Sequence, residues 1–391
     1  MHLAFFVHSL STGGAQRRTI MLANGLAARG HRIDLVTAVD GGPETGLVGP
    51  RVMRLPLAPS PAPDVASGGV RTGDLAAAIR PLSRYLRHNR PDMLVGMANH
   101  AVIPSVLAHT LAGRPAIRLV LRASNHLSRR HDATINPRRA AEAWLWRRAD
   151  AVLAVSGDVA RDVVSVTGLP AGRVLTVASP ILPDRLHAAR RPLPAGDGTV
   201  RILAMGRFVR QKGFDTLLHA FALLSARRKA RLVLAGDGPD RSALHVLADS
   251  LGIAGLVEFP GLVSNPFDRF AGADLFVLSS RWEGMPGVLV EAMALGCPVV
   301  STDCPGGPRE LLRQGALGPL VPVDDTAALA DAMDAALSHP VSADALRRRV
   351  QDFTLDNATT SYETALLHLG TWQGMPRHPA GPAKGLAWQT E

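Results

Sequence analysis

Short apolar runs alternate with amphipathic stretches along almost the whole chain, and this alternation restricts the fold more than any other feature. In residues 1–180 the runs are LAFFVHS, RIDLVTAV, RVMRLPL, DMLVGM, IRLVLRA, AVLAVS and RVLTVA, with helical stretches starting near Gly14, Thr72 and Pro137. After residue 199 the pattern restarts with VRILAMGR, ARLVLAG, VEFPG, LFVLSS, PVVST and GPLVPV. Between the two halves, SPILPDRLHAARRPLPAGDG (179–198) gathers Pro, Gly and charge, as a linker does. The expectation is an α/β chain of two doubly wound, Rossmann-like domains, 1–180 and 199–355, joined by a linker over 181–198. A helix over 356–370 and a loose polar tail over 371–391 follow. Two such sheets facing one another predict an interdomain cleft at the carboxyl ends of their strands.

The chain has 391 residues, 47% of them apolar, with no repeat of fixed period, which places it with soluble α/β enzymes. Its two cysteines, Cys297 and Cys304, form neither a CxxC pair nor a disulfide framework, which fits a reducing compartment and argues against a cysteine zinc site. The opening MHLAFFVHSL lacks the basic region and cleavage site of a signal peptide. The charge-free window from Met93 to Gly113 contains Asn99, His100, Pro104 and His109, which suits a strand and a helix better than a membrane span. A cytoplasmic location without a transmembrane segment is therefore expected.

Net charge is +10 and unevenly placed. Residues 1–180 hold 22 Arg against 11 acidic residues, whereas 181–391 hold 21 Lys and Arg against 22. The surplus in the first half suggests an anionic partner such as phospholipid headgroups or a polyprenyl phosphate, and hence peripheral contact with the inner membrane face. An arginine-decorated, solvated face explains the same numbers equally well. No aromatic-interleaved basic run accompanies the charge, so nucleic acid is not an expected partner.

The stretch EGMPGVLVE places Glu283 and Glu291 eight positions apart around a Gly-Met-Pro-Gly turn, between a strand and a helix. Pro286 suits a first helical turn, where its missing N–H costs nothing. The N–H groups of Gly284, Met285, Gly287 and Val288 then face outward from a helix N-terminus that favours anions. A carboxylate beside a phosphate site accepts two protons from vicinal hydroxyls, as in a ribose or a transferred sugar. Upstream, AMGRFVRQKGF puts Arg207 after a strand and Lys212 before a helix, two cations suited to a diphosphate leaving group. Solvated loop residues remain the alternative for each stretch taken alone.

The full run SSRWEGMPGVLVEAMALGCPVVSTDCPGGPREL, 279–311, closely resembles the signature of glycosyltransferase family 4, of GT-B fold. By that resemblance Glu291 binds the nucleotide ribose, and Glu283 lies against the donor sugar, with the amides after it on sugar and diphosphate. The GR…QKG stretch supplies the Arg207 and Lys212 pair. EFPGLVSN places Val263 near the base, and the loop around Gly13 and Gly14 approaches the donor phosphate. The last helix is expected to cross back to the first, acceptor-binding domain. The resemblance implies transfer of a sugar from a UDP- or GDP-linked donor to a hydroxyl acceptor with retention of configuration. A lipid-linked or lipopolysaccharide-type acceptor fits the basic first half. His8, His100 and His126 lie at or just past strand ends of that half, and His100 is the candidate acceptor contact.

No Asp-x-Asp occurs, so neither a metal nor another cofactor is expected, and VDDT at 323–326 reads as a turn and helix cap. Three rivals stay open. A nucleotide-sugar epimerase would act on the donor alone, and a non-catalytic sugar or nucleotide binder would have no use for the Arg207 and Lys212 pair. A dehydrogenase would require the third glycine of a dinucleotide fingerprint, which the Gly13–Gly14 loop lacks.

Overall fold

The structure is a computed structural model and describes residues 1–11, 13–59, 71–113, 116–128, 137–184, 198–263 and 265–371. Most of the expected linker and all but the first residue of the expected tail lie outside the described residues. The chain forms two compact units, one of residues 1–180 with the segment from Leu355 onward, the other of Ile181–Thr354.

Every strand read from an apolar run is present. The first unit opens with β1 (His2–Val7), α1 (Gly14–Ala28), β2 (Arg32–Thr37), β3 (Val52–Pro56), α2 (Thr72–Ala77) and α3 (Ile79–Asn89). It continues through β4 (Met93–Gly96), α4 (Val102–Ala112), β5 (Arg118–Ala123), α5 (Pro137–Trp146), β6 (Ala151–Ala154), α6 (Gly157–Thr167) and β7 (Val174–Thr176). These strands make one parallel sheet in the order β3-β2-β1-β4-β5-β6-β7. The second unit starts with β8 (Val200–Met205), α7 (Phe214–Ser225), β9 (Ala230–Ala235), α8 (Arg241–Ser250), β10 (Val257–Glu258) and α9 (Pro266–Ala271). Then come β11 (Leu275–Leu278), α10 (Gly287–Ala294), β12 (Val299–Thr302), α11 (Pro308–Leu311), β13 (Leu320–Val321), α12 (Thr326–Ser338) and α13 (Ala343–Arg349). Its sheet, also parallel, runs β10-β9-β8-β11-β12-β13, a doubly wound order.

Parallel strands covered on both faces need apolar residues at nearly every position. β1 satisfies this with Leu3, Ala4, Phe5 and Phe6, each fully buried, and β11 with Leu275 and Phe276. α5 turns one tryptophan inward and one outward: Trp146 is fully buried, whereas Trp144 is exposed under the Arg148 guanidinium. Asp325 caps α12, its carboxylate accepting from the Ala328 N–H at 2.9 Å, so VDDT is the turn and cap read from the sequence. The last helix, α14 (Leu355–Thr371), packs on α1 within the first unit and sends Tyr362, Leu366 and Leu369 into its core. Arg29 and His31 both bond Glu363 at 2.7 Å, and the Tyr362 hydroxyl accepts from buried Arg122 Nε at 2.6 Å. Among the described residues no helix is long and apolar enough to cross a membrane.

Candidate active site

β8 and β11 are neighbours where the strand order of the second sheet reverses, so the loops leaving their carboxyl ends open a crevice between them. Arg207 and Lys212 stand on the loop after β8, and Glu283 on the loop after β11. Two glycines let neighbouring loops pack closely on the β11 loop, Gly213 at the end of the β8 loop and Gly306 on the loop after β12. Gly213, at φ 59°, abuts the Ser279 carbonyl, and Gly306, at φ 124°, abuts that of Glu283; a Cβ at either would strike backbone oxygen. Backbone bonds complete the stack, from Glu283 N to Pro305 O at 2.9 Å and from Gly307 N to Gly284 O at 2.7 Å.

Lys212 and Glu283 meet directly. Glu283 is only 6% exposed, and its Oε1 accepts from Lys212 Nζ at 2.5 Å and from Ser280 Oγ at 2.7 Å. These two donors satisfy Oε1 of a carboxyl group taken almost wholly out of water. Among the described residues nothing donates to Oε2, which leaves one oxygen for a ligand hydroxyl. Beneath the pair, burial and the Glu283 charge push the Cys304 thiol up to about 12, so it is an inert, protonated core group. Arg207 is exposed and, among the described residues, has no acidic partner.

The N–H groups of Gly284, Gly287 and Val288 find no acceptor among the described residues. Together with the start of α10 they make a cluster of donors suited to phosphate oxygens. Pro286 is the N-cap of α10 and not a first-turn residue, because its extended ψ of 100° turns its carbonyl back to accept from Leu289 and Val290. Met285 and Pro286 are buried, and Glu291 is half-buried on α10. Val263 is half-buried on the loop after β10, the edge strand of this sheet.

Gly13, Gly14 and His100 belong to the first unit. Gly13 is the extended N-cap of α1, and Gly14 its exposed first residue. His100 lies in the turn Asn99–Ala101 after β4, and its ring meets that of His8 edge-on at 6.4 Å. His8, buried at the end of β1, places Nε2 3.1 Å from Asp74 Oδ2. His126 is buried with Nε2 3.0 Å from Asp158 Oδ2.

Sequence reasoning passed over Arg281. Its guanidinium bonds Asp215 Oδ2 at 2.7 Å, Asp324 Oδ1 at 2.8 Å and the Arg210 carbonyl at 2.7 Å, while its N–H donates to Gln211 O at 2.7 Å. The hydrogen bond to Asp215 raises the Arg281 pKa against burial, and the hydrogen bond from Arg281 holds Asp324 below the usual carboxylate range. This side chain pins the β8 loop to the β11 loop. The only signal was its place beside Glu283, since its partners lie 66 and 43 positions away.

Two Rossmann-like units, with glycine-stacked loops at the strand-order reversal of the second, define a GT-B-type fold. Two family models match, "Glycosyl transferase 4-like domain" over residues 13–180 and "Glycosyl transferases group 1" over 199–339. The lipopolysaccharide core biosynthesis mannosyltransferase LpsB of Rhizobium meliloti (strain 1021) is 30% identical over 276 residues, 66% of this chain and 74% of LpsB. The chain belongs to the glycosyltransferases of GT-B fold. The lipopolysaccharide core biosynthesis glycosyltransferase LpsE of the same organism is 41% identical over 133 residues, 34% of this chain. That match spans only 38% of LpsE. The crystal structure of Anabaena Alr3699/HepE in complex with UDP and glucose superposes with a TM-score of 0.76 at 19% identity, covering 94% of this chain and 99% of that one, a likeness of fold.

Proposed function

We propose that the protein transfers a sugar from a UDP- or GDP-linked donor to a hydroxyl acceptor, with retention of configuration and without a metal. The observation that carries this reading is the Lys212–Glu283 pair, with exposed Arg207 on the same loop as Lys212 and, among the described residues, no acceptor on the N–H groups of Gly284, Gly287 and Val288. A diphosphate brings its charge to Arg207 and to Lys212, which turns from Glu283 toward it as the glycosidic bond breaks. Glu283 Oε2 accepts a donor-sugar hydroxyl, Glu291 holds the ribose and Val263 flanks the base. The family resemblance assigns Gly13 and Gly14 to the donor phosphate, and His100, in the turn after β4, is the candidate acceptor contact. The names of LpsB and LpsE support an acceptor in lipopolysaccharide or polysaccharide assembly, lipid-linked in keeping with the arginine-rich first half.

Calorimetric titration with UDP, GDP and their sugars, followed by turnover with the donor that binds, tests the reading. Glu291→Ala is expected to weaken donor binding, whereas Arg207→Ala and Lys212→Ala lower kcat by about 10²–10³. EDTA leaves turnover unchanged. Normal kinetics in all three variants, or activity lost to EDTA and restored by metal, would overturn the assignment. Products formed from donor alone would favour an epimerase.

A further inference from the structure

Four of the large apolar side chains exposed among the described residues, Ile103, Leu107, Leu111 and Trp144, lie on α4 and α5, helices packed against each other. Ile103, Leu107 and Leu111 recur every fourth residue, so they form one row along the outer face of α4, 53%, 37% and 51% exposed. Scattered apolar residues are ordinary on a surface, but an ordered row of this kind is not. α3 packs along α4 and exposes Arg80, Arg84 and Arg87 at helical spacing. The Arg87 guanidinium donates to the Leu111 carbonyl, which ties the basic row to the apolar one. Beside Trp144 stand exposed Arg147 and Arg148, the latter 4.3 Å above the indole ring. Neither α3 nor α4 contains an acidic residue, so no carboxylate along them neutralises the arginines.

We infer that the α3–α4–α5 face of the first unit docks on an anionic phospholipid bilayer. α4 lies in the headgroup plane, its apolar row and Trp144 enter the acyl boundary, and the flanking guanidiniums bind lipid phosphates. A solvated arginine face accounts for the charge but leaves the aliphatic row unexplained. The inference is independent of the donor reading, because none of these residues is assigned to the sugar or its nucleotide.

The full chain is mixed with vesicles of phosphatidylglycerol or of phosphatidylcholine and sedimented. It is expected to bind the anionic vesicles only. Leu107→Ser with Leu111→Ser, and separately Arg80→Glu with Arg84→Glu, lower that binding by about tenfold or more. Arg231→Glu with Arg348→Glu, the same charge change on exposed positions of the second unit, leaves it intact. Vesicles shift the tryptophan emission to the blue, and Trp144→Phe removes that shift in a chain whose melting curve is unchanged. The inference fails if the patch variants bind like the parent, if the second-unit variant loses binding as they do, or if Trp144→Phe keeps the shift. It also fails if sedimentation velocity shows a dimer that Leu107→Ser with Leu111→Ser dissolves, since a second copy would then cover the row.

Discussion

Arg281 shows how one side chain acts on the candidate site without entering it. The loop after β8 carries both predicted phosphate cations; the loop after β11 carries Glu283 and the Gly284 N–H, and the start of α10 those of Gly287 and Val288, none with an acceptor among the described residues. Arg281 joins the β11 loop to the β8 loop through the Arg210 carbonyl, to the first turn of α7 through Asp215 and to the turn before α12 through Asp324. Asp215 and Asp324 are about half exposed, so solvent screens these ion pairs and their contribution to stability is modest, about 1–2 kcal/mol together. Their effect on geometry is larger, because a displacement of about 1 Å in a binding group costs on the order of 10²-fold in rate. Arg281→Ala should therefore lower turnover far more than it lowers the melting temperature. Arg281→Lys should not restore turnover, since a lysine ammonium lacks the planar fork that reaches three acceptors at once. Equal losses of turnover and stability, or full rescue by lysine, would show that Arg281 is only a surface ion pair.

Among the elements, α14 illustrates how a helix far along the chain is held by charge as well as by its apolar face. Glu363 takes a hydrogen bond from Arg29 and one from His31, each at 2.7 Å. Burial pushes its carboxyl pKa up, but the Arg29 and His31 bonds and charges outweigh this and hold it below the ordinary 4.5. With the folded pKa below the unfolded one, the stabilisation is complete above about pH 4.5 and is lost as pH falls through the folded value. Glu363→Gln should lower stability at pH 7 and flatten the acid limb of the stability profile between pH 4.5 and more acidic conditions. Urea melts at a series of pH values measure both. An acid limb identical in the two proteins would mean that Glu363 does not hold α14 down.

At the scale of the whole molecule, what could be read from the sequence follows the range of the interactions. Strands buried on both faces announce themselves as apolar runs, and every such run became a strand of one of the two sheets. The loops of the candidate site were legible too, because Gly284, Pro286 and Gly287 mark a turn into a helix by their own backbone preferences. The pairing of Lys212 with Glu283 was not, since it joins residues 71 positions apart that only the β8–β11 adjacency brings together. For α14, helical periodicity shows that one face is buried but does not identify what covers it. Only the family resemblance pointed to the first unit, and it is there that α14 packs, on α1, when the chain returns after Thr354. Tyr362, Leu366 and Leu369 are each 1% exposed or less, and burying side chains of this size contributes about 1.5–3 kcal/mol apiece. Tyr362 also accepts from the buried Arg122 guanidinium, whose Nε is left without its acceptor when the helix is absent. The sum rivals the ~5–15 kcal/mol that holds a domain folded. A chain ending at Thr354 should therefore lose hydrogen-exchange protection throughout β1, β5 and α1 while α7 and β8 of the second unit stay protected. Retained protection in the first unit would mean that its core is complete without the helix, and uniform loss in both would mean that the two units do not fold as separate cooperative bodies.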